Sequence, residues 1–396
     1  MIVTRALAMA CALLAVATWG GCATDDGGGA GEGDTLTVYV SVPLRGPSGA
    51  FGHAIRDGAR LALEDAGGKA ADVEIDAVFL DDTEGGRWNP GVVGENARAA
   101  SSDSTAIAYI GEFESGATRT SLPITNEARM LQVSPASTAV DLVSPFPGSD
   151  EVPDQVQPSG ERSFGRVIPD DEAQAAAGAE WARRLGVHGV LVVSDGSEFG
   201  DAVAEEFAEE AEDLGVSVDR AGSEAAALRG AKANPDLVYY GGIGAAGMPF
   251  LERAVRSSDA MIMGTDALLL DPSFLRRARP FEPRLRLTAS AQAPAQLPPP
   301  EGPEFVRGYR DEFGRRPDPY AAYGYEAIAV VLDSIERAGD TVDRTSVIDA
   351  FLDTTDRRSV LGTYSIDEVG DITLDRLAGY RVRDGRLVFD TALSAP

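Results

Sequence analysis

Apolar residues follow two periods along this chain, and the two periods predict a regular alternation of strands and helices. Every second residue of 36–42 is apolar, which is typical of a strand. After a Pro- and Gly-rich turn, the apolar residues of 51–66 recur at the spacing of an amphipathic helix. The alternation continues through strand-like 73–80, 107–110 and 130–133 and helix-like 92–100 and 118–128. Such a pattern predicts a parallel sheet that helices cover on both faces.

Two polar breaks interrupt this alternation. The first is a Pro-, Gly-, Ser- and Asp-rich stretch at 144–163, and the second is Pro-rich, at 294–303. Between them the chain is helix-like at 172–185 and strand-like at 190–193, 237–240, 261–263 and 285–288. After the second break another helix and short Gly-punctuated strands follow.

We therefore predict an α/β fold of two doubly wound parallel-sheet lobes joined by a multi-crossing hinge. Each lobe then takes two pieces of the chain. Lobe 1 is expected at 36–158 plus 291–375, and lobe 2 at 159–290 plus 376–396.

The first 35 residues are typical of an export signal followed by a flexible linker, which we call the tether. Residues 1–21 carry one positive charge, then a short apolar run and small residues, which indicates an export signal and is too short for an ordinary spanning helix. Cys22 follows two glycines, as in a bacterial lipoprotein box, although Trp19 stands where that motif usually has an aliphatic residue. The Gly-rich stretch after Cys22, up to 35, is typical of a flexible linker.

These features predict an extracytoplasmic protein attached to the cell membrane through a lipid on Cys22. Several acyl chains on one residue would anchor it far better than a single chain. Plain secretion with cleavage near this position stays open as an alternative.

Charge and composition exclude several function classes. The chain has 63 Asp and Glu against 35 Lys and Arg, a formal net charge of -28, so binding to nucleic acid or to anionic lipid through a basic face is not expected. Only Cys11 and Cys22 are cysteines, and the two histidines, His53 and His188, are far apart in sequence. We therefore expect no internal disulfide in the folded body, no metal site and no cofactor.

Catalytic motifs are equally scarce. No Gly-x-Ser-x-Gly turn precedes a suitable helix, and no phosphate-binding loop pattern appears. The Gly-Gly-Ile-Gly segment at 241–244 follows a predicted strand without completing a dinucleotide-binding fingerprint. The sequence thus favours a binding protein over an enzyme.

Several short motifs, in order and over nearly the whole chain, carry a family resemblance. The chain resembles the type I periplasmic binding proteins, and among them the leucine/isoleucine/valine-binding family that serves ABC importers. The matching segments are Val-Pro-Leu-Arg-Gly-Pro (42–47), Gly-Ala-Arg-Leu-Ala (58–62), Asp-Asp (81–82), Tyr-Ile-Gly (109–111), Ser-Pro-Ala-Ser-Thr (134–138), Tyr-Tyr-Gly-Gly (239–242), Tyr-Ala-Ala-Tyr-Gly-Tyr-Glu-Ala (320–327) and Gly-Asp (370–371).

The resemblance implies a substrate-binding component that closes two lobes around a small amino acid or related metabolite. Its partners would be an ABC permease and ATPase. The same fold also serves receptors, so a ligand-sensing subunit partnered with a membrane sensor is the alternative.

The resemblance also implies roles for individual residues. In the family, a Ser at a helix start and a Thr in the Ser-Pro turn bind the ligand carboxylate. That Thr, a carbonyl of the same turn and an acid of the second lobe bind the ammonium, while aromatic rings cover the ligand. Carried over position by position, these roles fall on Ser115, Ala136, Thr138 and Asp266, with Phe51 and Phe199 as the covering rings.

Elementary physical chemistry supports these roles but leaves simpler ones open. A helix N-terminus favours an anion, and a carboxylate is the natural partner of an ammonium. Ser115 is equally suited to be a helix N-cap, and Asp266 to cap a segment or face water. Phe51 and Phe199 are equally suited to a core.

Other acids near the expected site complicate the ligand's identity. Asp81 and Asp82 end a predicted strand, and we interpret them as mainly structural. Glu112 and Glu114 depart from the branched-chain pattern and place extra negative charge beside the expected carboxylate site.

Overall fold

A computed structural model describes residues 35–146, 148–339 and 341–395 of the chain. The predicted export signal, Cys22 and all of the predicted tether except Thr35 lie outside the described residues.

The strands, numbered in chain order, are β1 (Thr35–Val42), β2 (Lys69–Ala70), β3 (Val73–Asp81), β4 (Thr83–Glu84), β5 (Arg87–Trp88), β6 (Ala106–Ile110), β7 (Leu131–Ser134), β8 (Phe164–Arg166), β9 (Gly189–Ser194), β10 (Ser217–Arg220), β11 (Leu237–Gly241), β12 (Met261–Thr265), β13 (Leu285–Ala289), β14 (Arg357–Ser359), β15 (Gly362–Tyr364), β16 (Arg376–Arg383) and β17 (Arg386–Ser394).

The α-helices are α1 (Gly49–Asp65), α2 (Pro90–Ser102), α3 (Ser115–Glu127), α4 (Asp171–Arg184), α5 (Glu198–Asp213), α6 (Glu224–Lys232), α7 (Gly244–Ser257), α8 (Phe274–Arg277), α9 (Glu301–Phe313), α10 (Pro319–Ala338) and α11 (Arg344–Leu352). Short 3₁₀ segments lie at Val140–Leu142, Asp266–Leu270 and Arg279–Arg284. None of the helices within the described residues has the length and apolar character needed to cross a bilayer.

The first sheet has the strand order β2-β3-β1-β6-β7-β8. Its last five strands in that order are mutually parallel, and β2 pairs antiparallel with β3 at the edge. β6 and β7 are buried along their whole length, which fits strands that helices cover on both faces. β8 belongs to the first sheet, although it lies beyond residue 158, where this part of lobe 1 was expected to end. The chain therefore passes from the first lobe to the second after Arg166.

The second sheet has the order β10-β9-β11-β12-β13-β16-β17. β10 to β13 run parallel, and β16 and β17 extend the sheet as an antiparallel pair from the end of the chain. Two sheets of this kind, each with its own buried core, confirm the predicted two-lobed α/β fold.

Close helix packing holds the first lobe together. α1 and α10 cross so tightly that a side chain on Gly58 would place its Cβ 1.9 Å from the carbonyl oxygen of Ala321. The glycine of the Gly-Ala-Arg-Leu-Ala segment is therefore required by backbone contact with a helix far away in sequence.

The chain passes between the two sheets three times, after β8, after β13 and before β16. Arg166 joins two of these passages, since its fully buried guanidinium pairs with Asp371 at 2.5 Å and donates to the Ala139 carbonyl at 2.8 Å. Crossings close together in space are what a hinge between lobes requires.

Candidate functional site

A cavity of about 890 Å³ lies between the two lobes. It is lined by the segments that follow β1, β6 and β7 on one side and β9 and β12 on the other. The carboxyl ends of parallel strands are where ligands bind in open α/β sheets, and here two such edges face each other. All six predicted ligand-contacting residues belong to its lining, namely Phe51, Ser115, Ala136, Thr138, Phe199 and Asp266.

Ser115 is the first residue of α3, and it ties that helix to the turn after β7. Its hydroxyl accepts the N–H groups of Thr138 and Ala139, each at 3.2 Å. The N-cap position belongs to Glu114, whose side chain makes no cap hydrogen bond, so the alternative of Ser115 as the N-cap is wrong.

The hydroxyl of Ser134 stabilises the Ser-Pro turn that carries Ala136 and Thr138. Ser134 accepts the N–H groups of Ala136 at 3.2 Å and of Ser137 at 2.8 Å, and its hydroxyl donates to the Glu112 carbonyl at 2.9 Å. This network fixes the backbone of the turn before any ligand is present.

Asp266 begins a 3₁₀ segment directly after β12 and connects the two lobes. Its carboxylate accepts from the Tyr320 hydroxyl of α10 at 3.0 Å and from the Gln174 amide of α4 at 3.1 Å. Burial raises the pKa of Asp266, and the hydrogen bonds from Gln174 and Tyr320 oppose that rise. The side chain is therefore neither a simple cap nor a solvated surface acid.

Three aromatic rings form one wall of the cleft. Phe51 stacks on Phe113 at 5.5 Å between ring centroids, and Tyr320 meets the two rings edge-on at 5.5 and 5.2 Å. Phe51 is thus packed on a first-lobe core as well as facing the cavity. Phe113 and Tyr320 were not predicted as site residues, although Tyr320 begins the quoted segment 320–327 and Phe113 lies between Glu112 and Glu114.

Phe199 lies across the cleft, in the first turn of α5. Ser197 caps this helix by accepting the Gly200 N–H at 3.0 Å. The first residues of this helix line the cavity, and Phe199 is half-buried there.

The lining is strongly acidic. Among the described residues, nine carboxyl side chains and two arginines contribute to it. Arg119 is already engaged, since Asp141 binds it with two bonds of 2.6 and 2.7 Å and Glu198 lies at 3.4 Å. The other arginine, Arg87, is exposed.

Asp171 is a site residue that the sequence analysis missed. It is the first residue of α4 and only 5% exposed, yet its Oδ1 atom has no hydrogen-bond partner among the described residues. Burial raises the pKa of Asp171 to about 7, against a hydrogen bond from Thr138 that lowers it. A position at the start of a helix does not by itself reveal such a carboxylate from sequence.

Beneath the start of α3 lies a pair of buried carboxyls, Asp82 and Glu112. Glu112 is fully buried and accepts from the hydroxyls of Tyr109 at 2.6 Å and Ser41 at 2.9 Å. Asp82 is 1% exposed, and neither of its oxygens has a donor among the described residues. Burial raises the pKa of both groups, to about 7 for Asp82.

The adjacent Asp81 behaves differently. Its carboxylate accepts the N–H of Leu44 at 3.0 Å and the hydroxyl of Thr83 at 2.7 Å, and it pairs with Arg45 at 3.3 Å. Asp81 thus holds together the loop after β1.

Comparisons with known proteins agree with this architecture. Residues 35–385 match the model of a family described as periplasmic binding protein. The Leu/Ile/Val-binding protein homolog 1 of Brucella melitensis biotype 1 is 25% identical over 386 residues, which cover 94% of this chain and 95% of the relative.

Two solved structures are similar over most of the chain. The leucine binding protein LivK from Thermotoga maritima has a TM-score of 0.73 at 25% identity, covering 91% of this chain and 99% of that one. An ABC transporter solute binding protein from R. palustris, in complex with 4-hydroxybenzoate, has a TM-score of 0.72 at 17% identity, covering 92% and 98%. The second likeness bears on the fold alone.

Proposed function

Because the chain belongs to the periplasmic binding protein family, we propose that it is the extracytoplasmic substrate-binding component of an ABC importer. Family membership also confirms the prediction of a binding protein and not an enzyme. The partners would be a permease and an ATPase that receive the ligand from the closed protein. The relatives named for leucine, isoleucine and valine support a ligand of amino-acid size.

The observation that carries this proposal is the meeting of both lobes around one cavity. Asp266 from the second lobe and Tyr320 from the first are in hydrogen-bond contact there. An apolar cleft with a few fixed polar groups between two domains is the usual form of a small-molecule site.

In this site Asp266 would bind the ligand ammonium. The Ala136 carbonyl and the Thr138 hydroxyl would join Asp266 at the ammonium, while Ser115 and Thr138 would hold the opposite, polar end of the ligand. Phe51 and Phe199 would cover its apolar body. Asp266 has the right chemistry for the first role, since a charge-assisted hydrogen bond to a carboxylate is about twice as strong as a neutral one.

When a ligand binds, the two lobes would rotate towards each other about the hinge that the three crossings form. The anchor would be a lipid on Cys22, which keeps the protein beside its permease. Hinge closure and lipid anchoring both belong to the proposal.

A thermal-shift screen against a panel of small amino acids, amides and amines tests the proposed function. A ligand at about a hundred times its Kd adds roughly 2.7 kcal/mol to the unfolding free energy. The matched control is Asp266→Ala, which should lose the response to the same compound. A panel in which no compound stabilises the protein would contradict the proposal.

A further inference from the structure

We infer that the ligand carries a net positive charge, as an amine or an amino-acid amide does, instead of being a zwitterionic amino acid with a free carboxylate. The inference rests on the proposed function, because it concerns the same cleft. It follows from a mismatch in the lining, where nine carboxyl groups face two arginines, of which Arg119 is paired and Arg87 is exposed.

The place where a ligand carboxylate would bind is beside a protein carboxylate. Glu114 immediately precedes α3, and both it and Ser115 line the cavity. Its carboxylate is held there by the Ser48 hydroxyl at 2.6 Å and by the indole of Trp88. A second carboxylate at the start of α3 would face this one, and juxtaposed like charges suppress binding.

Several donors that a carboxylate could use are already engaged. The N–H groups of Thr138 and Ala139 both point to the Ser115 hydroxyl. The guanidinium of Arg119 is taken by Asp141 through two short bonds. A neutral amide suits this end better, because its own N–H groups can donate to Glu114 while its oxygen accepts from the remaining donors.

Acceptors without a donor lie between Thr138 and Asp266. Asp171 donates its backbone N–H to the Thr138 carbonyl at 2.9 Å, and its buried Oδ1 lacks a partner among the described residues. Glu172, the next residue in the lining, also has a buried oxygen, Oε1, without one. An ammonium has three N–H donors and can bond to more than one of these oxygens at once.

The aromatic wall adds a third feature that favours a cation. Phe51, Phe113 and Tyr320 lie within 5.5 Å of one another, measured between ring centroids, and Tyr320 bonds directly to Asp266. Aromatic faces attract organic cations, and they also bury an apolar body. An organic cation with an apolar side chain therefore matches both the charge and the surface of the cleft.

The test compares compounds that differ in one group. Leucine, leucinamide and isoamylamine share a side chain, and so do phenylalanine, phenylalaninamide and phenethylamine. Titration calorimetry on the full chain at pH 7 should show the amide or amine of a set binding at least about tenfold more tightly than the acid. An acid that binds as tightly as its amide would overturn the inference while leaving the proposed function standing. If no member of either set binds, the proposed function itself fails for this ligand class, and the inference fails with it.

Glu114→Gln provides the matched change in the protein. Removing its charge should narrow the preference for the amide over the acid by about tenfold. Glu127→Gln is the control, since it removes the same charge from the exposed far end of α3. Equal effects of the two variants would show that the preference comes from overall charge and not from the cleft, and would overturn the role given to Glu114.

Discussion

The buried pair of Asp82 and Glu112 makes a sharp prediction about stability. Glu112 receives two hydroxyl hydrogen bonds, whereas Asp82 receives none from the described residues, and the two carboxyls are neighbours. A proton held on one carboxyl gives the pair the donor it lacks. In Asp82→Asn the side-chain amide should take over the role of this proton, because its N–H can donate to Glu112 at any pH.

The magnitude follows from the pKa. Burial, together with the charges of Glu114 and Asp81, raises the pKa of Asp82 from 3.8 to about 7. Such a rise corresponds to roughly 4 kcal/mol between the protonation states. The folded chain then holds a proton that the unfolded chain releases, so the group's contribution to stability is full below about pH 4 and is lost as the pH rises to about 7.

Urea unfolding at pH 5 and pH 8 measures the effect. The variant should differ little from the wild type in the free energy of unfolding at pH 5. At pH 8 it should be more stable, by up to about 3 kcal/mol, because the wild type loses stability only between pH 5 and the folded pKa of about 7. An Asp82→Asn variant that loses the same stability at both pH values would refute the shared proton.

Asp81→Asn is the matched control, one residue away. Burial would raise the pKa of Asp81, but the hydrogen bonds from Leu44 and Thr83 and the charge of Arg45 lower it on balance. Its carboxylate therefore stabilises the fold at neutral pH, and this stability is lost only as the pH falls through the lowered pKa. The two neighbouring substitutions should change stability at pH 8 in opposite directions.

Three further predictions concern binding, motion and anchoring. Asp266→Ala should weaken binding of an identified ligand by about 2–5 kcal/mol and Ser115→Ala by only about 1 kcal/mol, as calorimetry would show; equal affinities of Asp266→Ala and wild type would remove the ammonium from that position. Small-angle scattering should give a smaller radius of gyration with ligand than without, and identical curves at saturation would count against hinge closure. Cys22→Ala should release the protein from membranes or block its processing, whereas mass spectrometry that finds an unmodified N-terminus elsewhere in the mature chain would end the lipid assignment.

The alternation of strand-like and helix-like segments predicted the two-lobed fold well, because the apolar pattern that marks each element is local in the sequence. Its error at β8 has a physical cause. Phe164–Arg166 is a three-residue strand at the end of a Pro- and Gly-rich stretch, too short to show a period. Only its pairing with β7 and the buried contact of Arg166 with Asp371 assign it to the first sheet.

The sequence predicted residues of the cavity lining where a motif follows the end of a strand, as for Thr138 and Asp266. It did not predict the buried acids whose oxygens lack a hydrogen-bond donor. Asp171 and Asp82 are buried acids with missing donors, and this property arises from packing between segments far apart in sequence. Phe113 is similar, because its stacking on Phe51 depends on how α1 lies against the loop that follows β6.

The negative charge of the cleft affects the equilibrium between the open and closed forms of the two lobes. Glu114 comes from the first lobe, and Asp171 and Asp266 come from the second. Closing the lobes without a ligand brings these acids together in a place from which water is leaving, which raises the free energy of the closed form. A ligand shifts such an equilibrium only by binding one form better than the other. If the ligand is a cation, as inferred above, it binds the closed form better because it lies between the acids of the two lobes. The open form then predominates until the ligand binds.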